Sequence, residues 1–334
     1  MDGNISRVAC LLAGQKTIAA SGNMVDTMIT SRAYNGAEDL PSVMAFLRDV
    51  FRRTGTCQNW FPDHFENTIG NCGRAFREDD IRIWEDTDNA SIPLKKRIIA
   101  VANPEDAPFD YYIQSDPTYS FLERRILEWI EANCLSKKKD SGKSEELRLH
   151  TAAGNVARES LLKDFGYRLE EKHALLKIRH LEMPIPWTDC PSGYEIRSVD
   201  GSSDHVQLAA AMRLVFGHGE WLNAELYERI THYSFYKQDL DLVAVAKDGT
   251  FASFCTFRMD PVSRITSLEP VGTHPSHRLR GLAKALVFEG LRRAMAYDPT
   301  LLYVEGANNI AANRLYDSVG YLEKLALCRW HKEI

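Results

Sequence analysis

The sequence contains no apolar run approaching the roughly 18 to 20 residues that a bilayer-spanning helix needs. Its seven cysteines (Cys10, Cys57, Cys72, Cys134, Cys190, Cys255 and Cys328) are scattered, odd in number and free of C-x-x-C spacing. This excludes a disulfide framework or structural zinc as the organising device, and it points to a reducing, cytoplasmic setting with no metal. Positive charge is not in excess: 41 Lys and Arg face 46 Asp and Glu, for a net charge of −5. Neither nucleic acid nor an anionic membrane is therefore expected as a partner. The one basic run, Lys137-Lys-Lys139, lies in the polar stretch Ser136–Glu146 and reads as a solvated loop. Near the N-terminus, Val8–Ala13 is short and followed by Gln15-Lys16, so residues 1–28 are expected to form a loose tail rather than a signal peptide.

What is present is ordinary in bulk. Hydrophobic residues make up 44% and charged residues 26%, and a length of 334 residues suggests two domains. The informative stretch is Leu268–Phe288, LEPVGTHPSHRLRGLAKALVF. A strand-like run ends at Pro275, and Arg278-Leu-Arg280-Gly281-Leu282-Ala283 then opens an amphipathic helix. That order suits an anionic ligand. Gly281 permits close backbone approach, Ala283 keeps the helix start uncrowded, and the unpaired N–H groups of the first turn, Leu282 included, point outward. Arg278 and Arg280 add positive charge.

A second motif follows at Asn309-Ile-Ala-Ala-Asn-Arg-Leu-Tyr316-Asp-Ser-Val-Gly320-Tyr321, after the strand-like Leu301–Glu305. It reads as a short helix with Asn309 as N-cap and Gly320 as stop. With these two motifs at this separation, the chain resembles the GNAT superfamily of acyl-CoA-dependent N-acetyltransferases. The resemblance implies an α/β (α+β) unit, a mixed and mostly antiparallel sheet flanked by helices, with acetyl-CoA as co-substrate.

The second motif has a faded twin 154 residues earlier, where Asn155-Val-Ala157, Leu161 and Gly166-Tyr167 match Asn309-Ile-Ala311, Leu315 and Gly320-Tyr321. Strand-like His173–Ile178 and Leu325–Trp330 follow the two motifs. Tyr194–Val199 likewise echoes Met28–Tyr34, each leading into an acid-capped helix, at Asp39–Arg52 and Asp204–Val215. We read an internal duplication, with a degenerate unit over 29–180 and a catalytic unit over 181–334. The proline-rich Leu181–Pro191 marks the linker. The layout is similar to that of tandem members of the superfamily such as mycothiol synthase. Sliding Pro117 onto Pro275 puts Glu123 where Gly281 stands, and a carboxylate there would repel a pyrophosphate.

Acetyl transfer needs a held donor, a base for the amine, a partner for the developing oxyanion and an acid for the leaving thiolate. By resemblance, the loop over Arg278–Ala283 holds the pyrophosphate, and backbone groups of Val271 and Thr273 run beside the pantetheine arm. Pro270 fits a bulge or plain edge position there. Tyr316 is the expected general acid, its alternative being an aromatic that fills the core. Asn309 sits near the donor arm or simply caps its helix. Glu269 is the candidate base, placed by alternation on the face of Val271, against the alternative of a half-exposed strand carboxylate. Many members carry glutamate two positions earlier, where this chain has Ser267.

The cluster His218, Glu220, Trp221, Tyr227, Tyr233 and Tyr236 either lines the acceptor site or fills a helix seam. The expected acceptor is a small-molecule amine, and the expected assembly a monomer or homodimer. A CoA-binding sensor without turnover is the competing class.

Overall fold

The computed structural model describes residues 28–70, 76–88, 95–105, 107–141, 145–307 and 309–334. Cys10, Cys72 and residues 1–27 of the expected tail lie outside the described residues. The chain divides into two compact units. The first comprises the chain up to His173 together with Leu325–Ile334, and the second comprises Ala174–Lys324.

In the first unit, β1 (Met28–Ala33), α1 (Gly36–Thr54), α2 (Pro62–Gly70), β2 (Arg82–Asp88), β3 (Lys95–Pro104), β4 (Asp110–Ser115), α3 (Glu123–Ser141), β5 (Glu146–Ala152) and α4 (Val156–Asp164) follow in order. β6 (Arg168–Arg179) leaves it. The second unit then runs through β7 (Tyr194–Ser198), α5 (Gly201–Phe216), α6 (Ala224–Ile230), β8 (Asp241–Ala246), β9 (Phe251–Met259), β10 (Ile265–Thr273), α7 (Leu282–Met295), β11 (Leu301–Ala307) and α8 (Ile310–Ser318), and β12 (Glu323–Glu333) leaves it in turn.

The strand order is β1-β2-β3-β4-β5-β12 in the first unit and β6-β11-β10-β9-β8-β7 in the second. Each unit has one registered parallel pair, β4 with β5 and β10 with β11; its other registered pairs are antiparallel. This is the mixed, mostly antiparallel architecture expected. The division along the chain differs from a cut at residue 180, because the closing strand of each repeat pairs in the other unit. β6 pairs with β11 from Ala174 to Arg179, and β12 pairs with β5 from Leu327 to Glu333. Cys328 and Trp330 are accordingly buried in the first unit's core with Leu147 and Leu149.

The duplication is visible atom by atom at the first helix of each unit. Arg32 makes a bidentate bond to Asp39 at 2.6 and 2.7 Å, and Asp39 accepts the N–H of Asn35 at 2.7 Å. Arg197 grips Asp204 in the same way, and Asp204 accepts the N–H of Asp200 at 2.8 Å. Both helices start three residues before the acid, at Gly36 and Gly201, so the aspartates lie inside the first turn and reach back rather than capping directly.

In the second unit, β9 is buried along its whole length because helices cover both faces. Phe251 and Phe254 pack against α5 and α6, whereas Ala252, Cys255 and Phe257 pack toward α7. The hairpin from β8 to β9 turns at Asp248-Gly249, with Gly249 at φ 86° and the Thr250 N–H on the Asp248 carboxylate at 3.0 Å. The Lys137-Lys-Lys139 run is not a loop: α3 continues through it to Ser141, and Lys137 pairs with the buried Asp80.

Candidate active site

The register of β10 creates an opening. Ile265–Ser267 pair with Leu301–Tyr303 of β11, and from Leu268 onward the registered partners of β10 are on β9 alone. A bulge intervenes, since Leu268 lies opposite Phe257 but Val271 lies opposite Cys255. Pro270, which has no N–H to give a ladder, occupies that bulge with Glu269. The extra residue reverses parity. Leu268 and Val271, three apart, both pack on the cluster facing α7 and α8. Simple alternation, which put Glu269 on the face of Val271, therefore fails at this point.

Beyond the bulge the backbone is tightly set. A Cβ on Gly272 would lie 2.4 Å from Phe254 Cζ and 2.9 Å from Val215 Cγ1. The Ser253 hydroxyl donates to the Gly272 carbonyl at 2.6 Å and lies 3.0 Å from the Thr273 hydroxyl. The chain then turns through Pro275–His277 into the loop that opens α7. Leu279, fully exposed, and Gly281 both have positive φ, at 61° and 80°. No heavy atom lies within 4 Å of where a Gly281 Cβ would project, so glycine answers to the left-handed backbone and not to crowding. Gly281 is the N-cap of α7 and provides no side-chain cap, which leaves the first-turn N–H groups for an incoming anion.

Arg278 and Arg280 are exposed beside this helix start. Arg278 Nε donates to the Thr273 carbonyl at 3.3 Å, and Arg280 Nη1 to the Tyr194 hydroxyl at 3.0 Å. The Leu282 side chain is buried in the core, so Leu282 faces a ligand only through its backbone; Ala283 is half-buried. The residues thus fit a pyrophosphate: an open, positively charged, uncapped helix start.

Tyr316 lies at the other side of the opening, on α8, 7% exposed and packed in the same cluster as Leu268 and Cys255. Burial, with smaller contributions from the Glu269 carboxylate and Cys255, pushes its phenol up to about 12. The structure therefore brings Tyr316 and Glu269 within electrostatic reach of each other. Glu269 itself is half-exposed and paired with buried Arg258 at 3.2 Å, a partner that sequence reasoning missed. A lone charged residue in Phe254–Met259 was the available signal. Asn309 caps α8, its side-chain oxygen accepting the N–H groups of Ala311 and Ala312 at 3.0 and 3.1 Å.

The expected acceptor cluster separates into two groups. Tyr227 and Tyr236 donate to the fully buried Asp241 at 2.6 and 3.0 Å, and Thr256 donates to its other oxygen at 2.7 Å. Burial raises the Asp241 carboxyl, and these three hydroxyls oppose the rise. These tyrosines fill the seam between helices and sheet, and Tyr233 meets Phe235 edge-on, with ring centroids 5.5 Å apart. His218 and Trp221 remain exposed. With Phe216 they form an aromatic run that begins at Phe254, the partner of Gly272: ring centroids are 5.7, 5.6 and 5.0 Å apart along Phe254–Phe216–His218–Trp221. Glu220 is solvated.

The first unit has filled the corresponding place with itself. Registered pairing of β4 with β5 covers Asp110–Tyr112, and beyond it Arg158 of α4 reaches in. Its guanidinium donates to the Ile113 carbonyl at 3.1 Å, to Ser115 Oγ at 2.9 Å, and to both carboxylate oxygens of Glu123 at 3.1 and 2.6 Å. Glu123 has ordinary right-handed backbone, φ −58°, where Gly281 is left-handed. The carboxylate expected to repel a donor is tied inward as a plug.

Known proteins resemble this chain in sequence and in fold. Residues 208–321 match the acetyltransferase (GNAT) family model. A mycothiol acetyltransferase of Kineococcus radiotolerans is 31% identical over 145 residues, 42% of this chain and 46% of the relative. Another from Mycobacterium ulcerans is 26% identical over 171 residues, 44% of this chain and 53% of the relative. The matches thus span about half the length of these relatives. A GCN5-related N-acetyltransferase from Sphaerobacter thermophilus superposes with a TM-score of 0.61 at 18% identity, over 91% of this chain and 95% of that one. A tandem GNAT protein from the clavulanic acid biosynthesis pathway gives 0.61 at 12% identity, over 92% and 98%. These structures share the fold. Among the described residues, no helix is long and apolar enough to cross a membrane.

Proposed function

We propose that this chain, which carries a GNAT-family domain in a tandem layout like that of mycothiol synthase, transfers an acetyl group from acetyl-CoA to a primary amine of a small molecule. The donor binds in the second unit alone. The observation that carries this reading is the uncapped start of α7 at left-handed Gly281, reached directly from a strand whose parallel pairing has just stopped. The first unit, with the same topology, has closed its own opening with Arg158 and Glu123. Relatives named for acetyl transfer support the chemistry, and the scattered cysteines a reducing cytoplasmic setting.

In this reading the amine attacks the thioester carbonyl carbon directly. A C–N bond forms, the developing oxyanion lies against backbone N–H groups of β10 beyond the bulge, and the C–S bond breaks. The thiolate takes the Tyr316 phenol proton, and the amine proton leaves through water toward Glu269. Val271 and Thr273 flank the donor arm, and Arg278, Arg280 and the N–H groups of Gly281, Leu282 and Ala283 hold the pyrophosphate. Asn309 sets the start of α8, and hence Tyr316. The exposed run Phe216, His218 and Trp221 borders the acceptor's approach. The displaced carboxylate, tied to Arg258, is the feature that favours the second reading, a CoA-binding sensor without turnover.

Calorimetric titration with acetyl-CoA tests the donor assignment. One site per chain, lost in Gly281→Glu, is expected; unchanged affinity in that variant would remove the assignment.

A further inference from the structure

β6 carries a lysine in the middle of an apolar sequence. Lys177 lies between buried Leu176 and Ile178, and its side chain is 0% exposed. An ammonium so placed needs compensation. Among the described residues, its hydrogen-bond, ion-pair and ring partners belong to α8. Nζ lies 2.8 Å from the Asp317 carboxylate, donates to the Asn313 carbonyl at 3.2 Å, and sits 5.9 Å over the Tyr316 ring. Asn313 and Asp317 are four residues apart, on successive turns, and Tyr316 lies between them.

Two further contacts fix the same helix. Arg179, two residues along β6, donates to the Val319 carbonyl at the C-terminus of α8 at 3.1 Å. On β11, a Cβ at Gly306 would come within 2.6 Å of Asn313 Oδ1 and 3.5 Å of Tyr316 Cε2, so α8 rests on bare backbone there. β6 is itself held by its ladder with Leu302–Ala307. The helix bearing the candidate acid is therefore anchored by a strand that the sequence places in the preceding repeat.

We propose that Lys177 is the positioning residue for Tyr316, locking the turn that carries the phenol so that its hydroxyl stays aligned with the thioester sulfur. This rests on the acetyl-transfer reading above. Asp317 is 42% exposed, so water can solvate it when Lys177 is replaced, and the variant should fold. The test is a double-mutant cycle on turnover in the full chain. Lys177→Met should lower kcat about tenfold or more, with acetyl-CoA affinity within about twofold of the parent. In a Tyr316→Phe background the same replacement should cost less than about twofold, because no phenol is left to align. Lys177→Arg, which keeps the charge, should recover most of the loss. Asp317→Asn, changed from the solvent side, should show the same non-additivity at smaller amplitude, and it carries the test if Lys177→Met does not fold.

Equal losses in both backgrounds would overturn the proposal, because a purely structural role damages both alike. Unchanged kcat would overturn it as well. Tyr316→Phe alone keeps the two readings distinguishable. If it lowers kcat while Lys177→Met does not, only the positioning role fails. If the parent transfers no acetyl group to any amine, the positioning role falls with the function.

Discussion

The plug in the first unit is open to a quantitative test. Arg158 and Glu123 side chains are 4% and 8% exposed, and the guanidinium makes four hydrogen bonds, two of them to the carboxylate. Arg158→Met leaves a buried carboxylate with the Ser115 hydroxyl, at 3.1 Å, as its remaining partner here. Breaking a buried pair from one side costs about 3–5 kcal/mol. Replacing both, as Glu123→Leu with Arg158→Met, removes the stranded charge and restores apolar contact. The Ile113 carbonyl loses its arginine in both variants; what the double variant adds is an unpaired Ser115 hydroxyl, for about 1–3 kcal/mol. The double variant should therefore be more stable than Arg158→Met by roughly 2 kcal/mol, the sign opposite to additivity. Urea unfolding followed by tryptophan fluorescence is the assay, with Trp60, Trp84 and Trp129 reporting on this unit. Additive losses, or a cost below about 1 kcal/mol for Arg158→Met, would refute the plug.

Two consequences concern the second unit. Tyr316→Phe should lower kcat by about a hundredfold with little change in donor affinity, measured by steady-state rates beside calorimetry. The phenol must be protonated to donate, and burial pushes it up to about 12, so no loss of kcat from this group is expected as pH rises to 10. A Tyr316-dependent alkaline limb near pH 9 would contradict that burial. Glu269→Gln should lower kcat with donor affinity unchanged if the carboxylate receives the amine proton; a kcat equal to the parent's would remove it from the mechanism.

The parts legible in the sequence were those whose chemistry is local. Asn309 announces a cap because only a few residue types serve that position, and Asp248-Gly249 announces a hairpin for the same reason; Gly281 reads as room for a ligand, and its left-handed backbone appears only in the structure. The mixed sheet followed from the family resemblance, and the repeat from matched motifs and spacing. Three features required the third dimension. The bulge at Glu269-Pro270 changes parity by one residue, which a period-two reading cannot register. The sequence leaves Tyr227 and Tyr236 between an acceptor site and a helix seam, and Asp241, which accepts from both, places them in the seam. The basic run at Lys137 lies in a helix, and Lys137 pairs with Asp80, distant in sequence. Lys177 was visible as a charge in an apolar strand, but its partners on α8 were not.

The destination of β6 and β12 was the least legible feature, for a physical reason. Both mix apolar and charged residues in a similar way, and period-two alternation specifies a face without naming the neighbour. Their crossing has a consequence for the chain as two halves. A fragment of residues 181–334 keeps every residue assigned to the donor site but loses the six β6 residues paired with β11, and with them Lys177 and Arg179. It also keeps β12, whose Trp330 and Cys328 belong to the other unit's core and would have nothing to bury against. An exposed β11 edge beside unburied aromatic surface is an aggregation-prone combination. The fragment should therefore elute as aggregate and unfold without a sharp urea transition, even though it contains Gly281, Glu269 and Tyr316. A monomeric fragment with a cooperative transition and the full chain's affinity for acetyl-CoA would show that the second unit needs neither the strand nor the lysine.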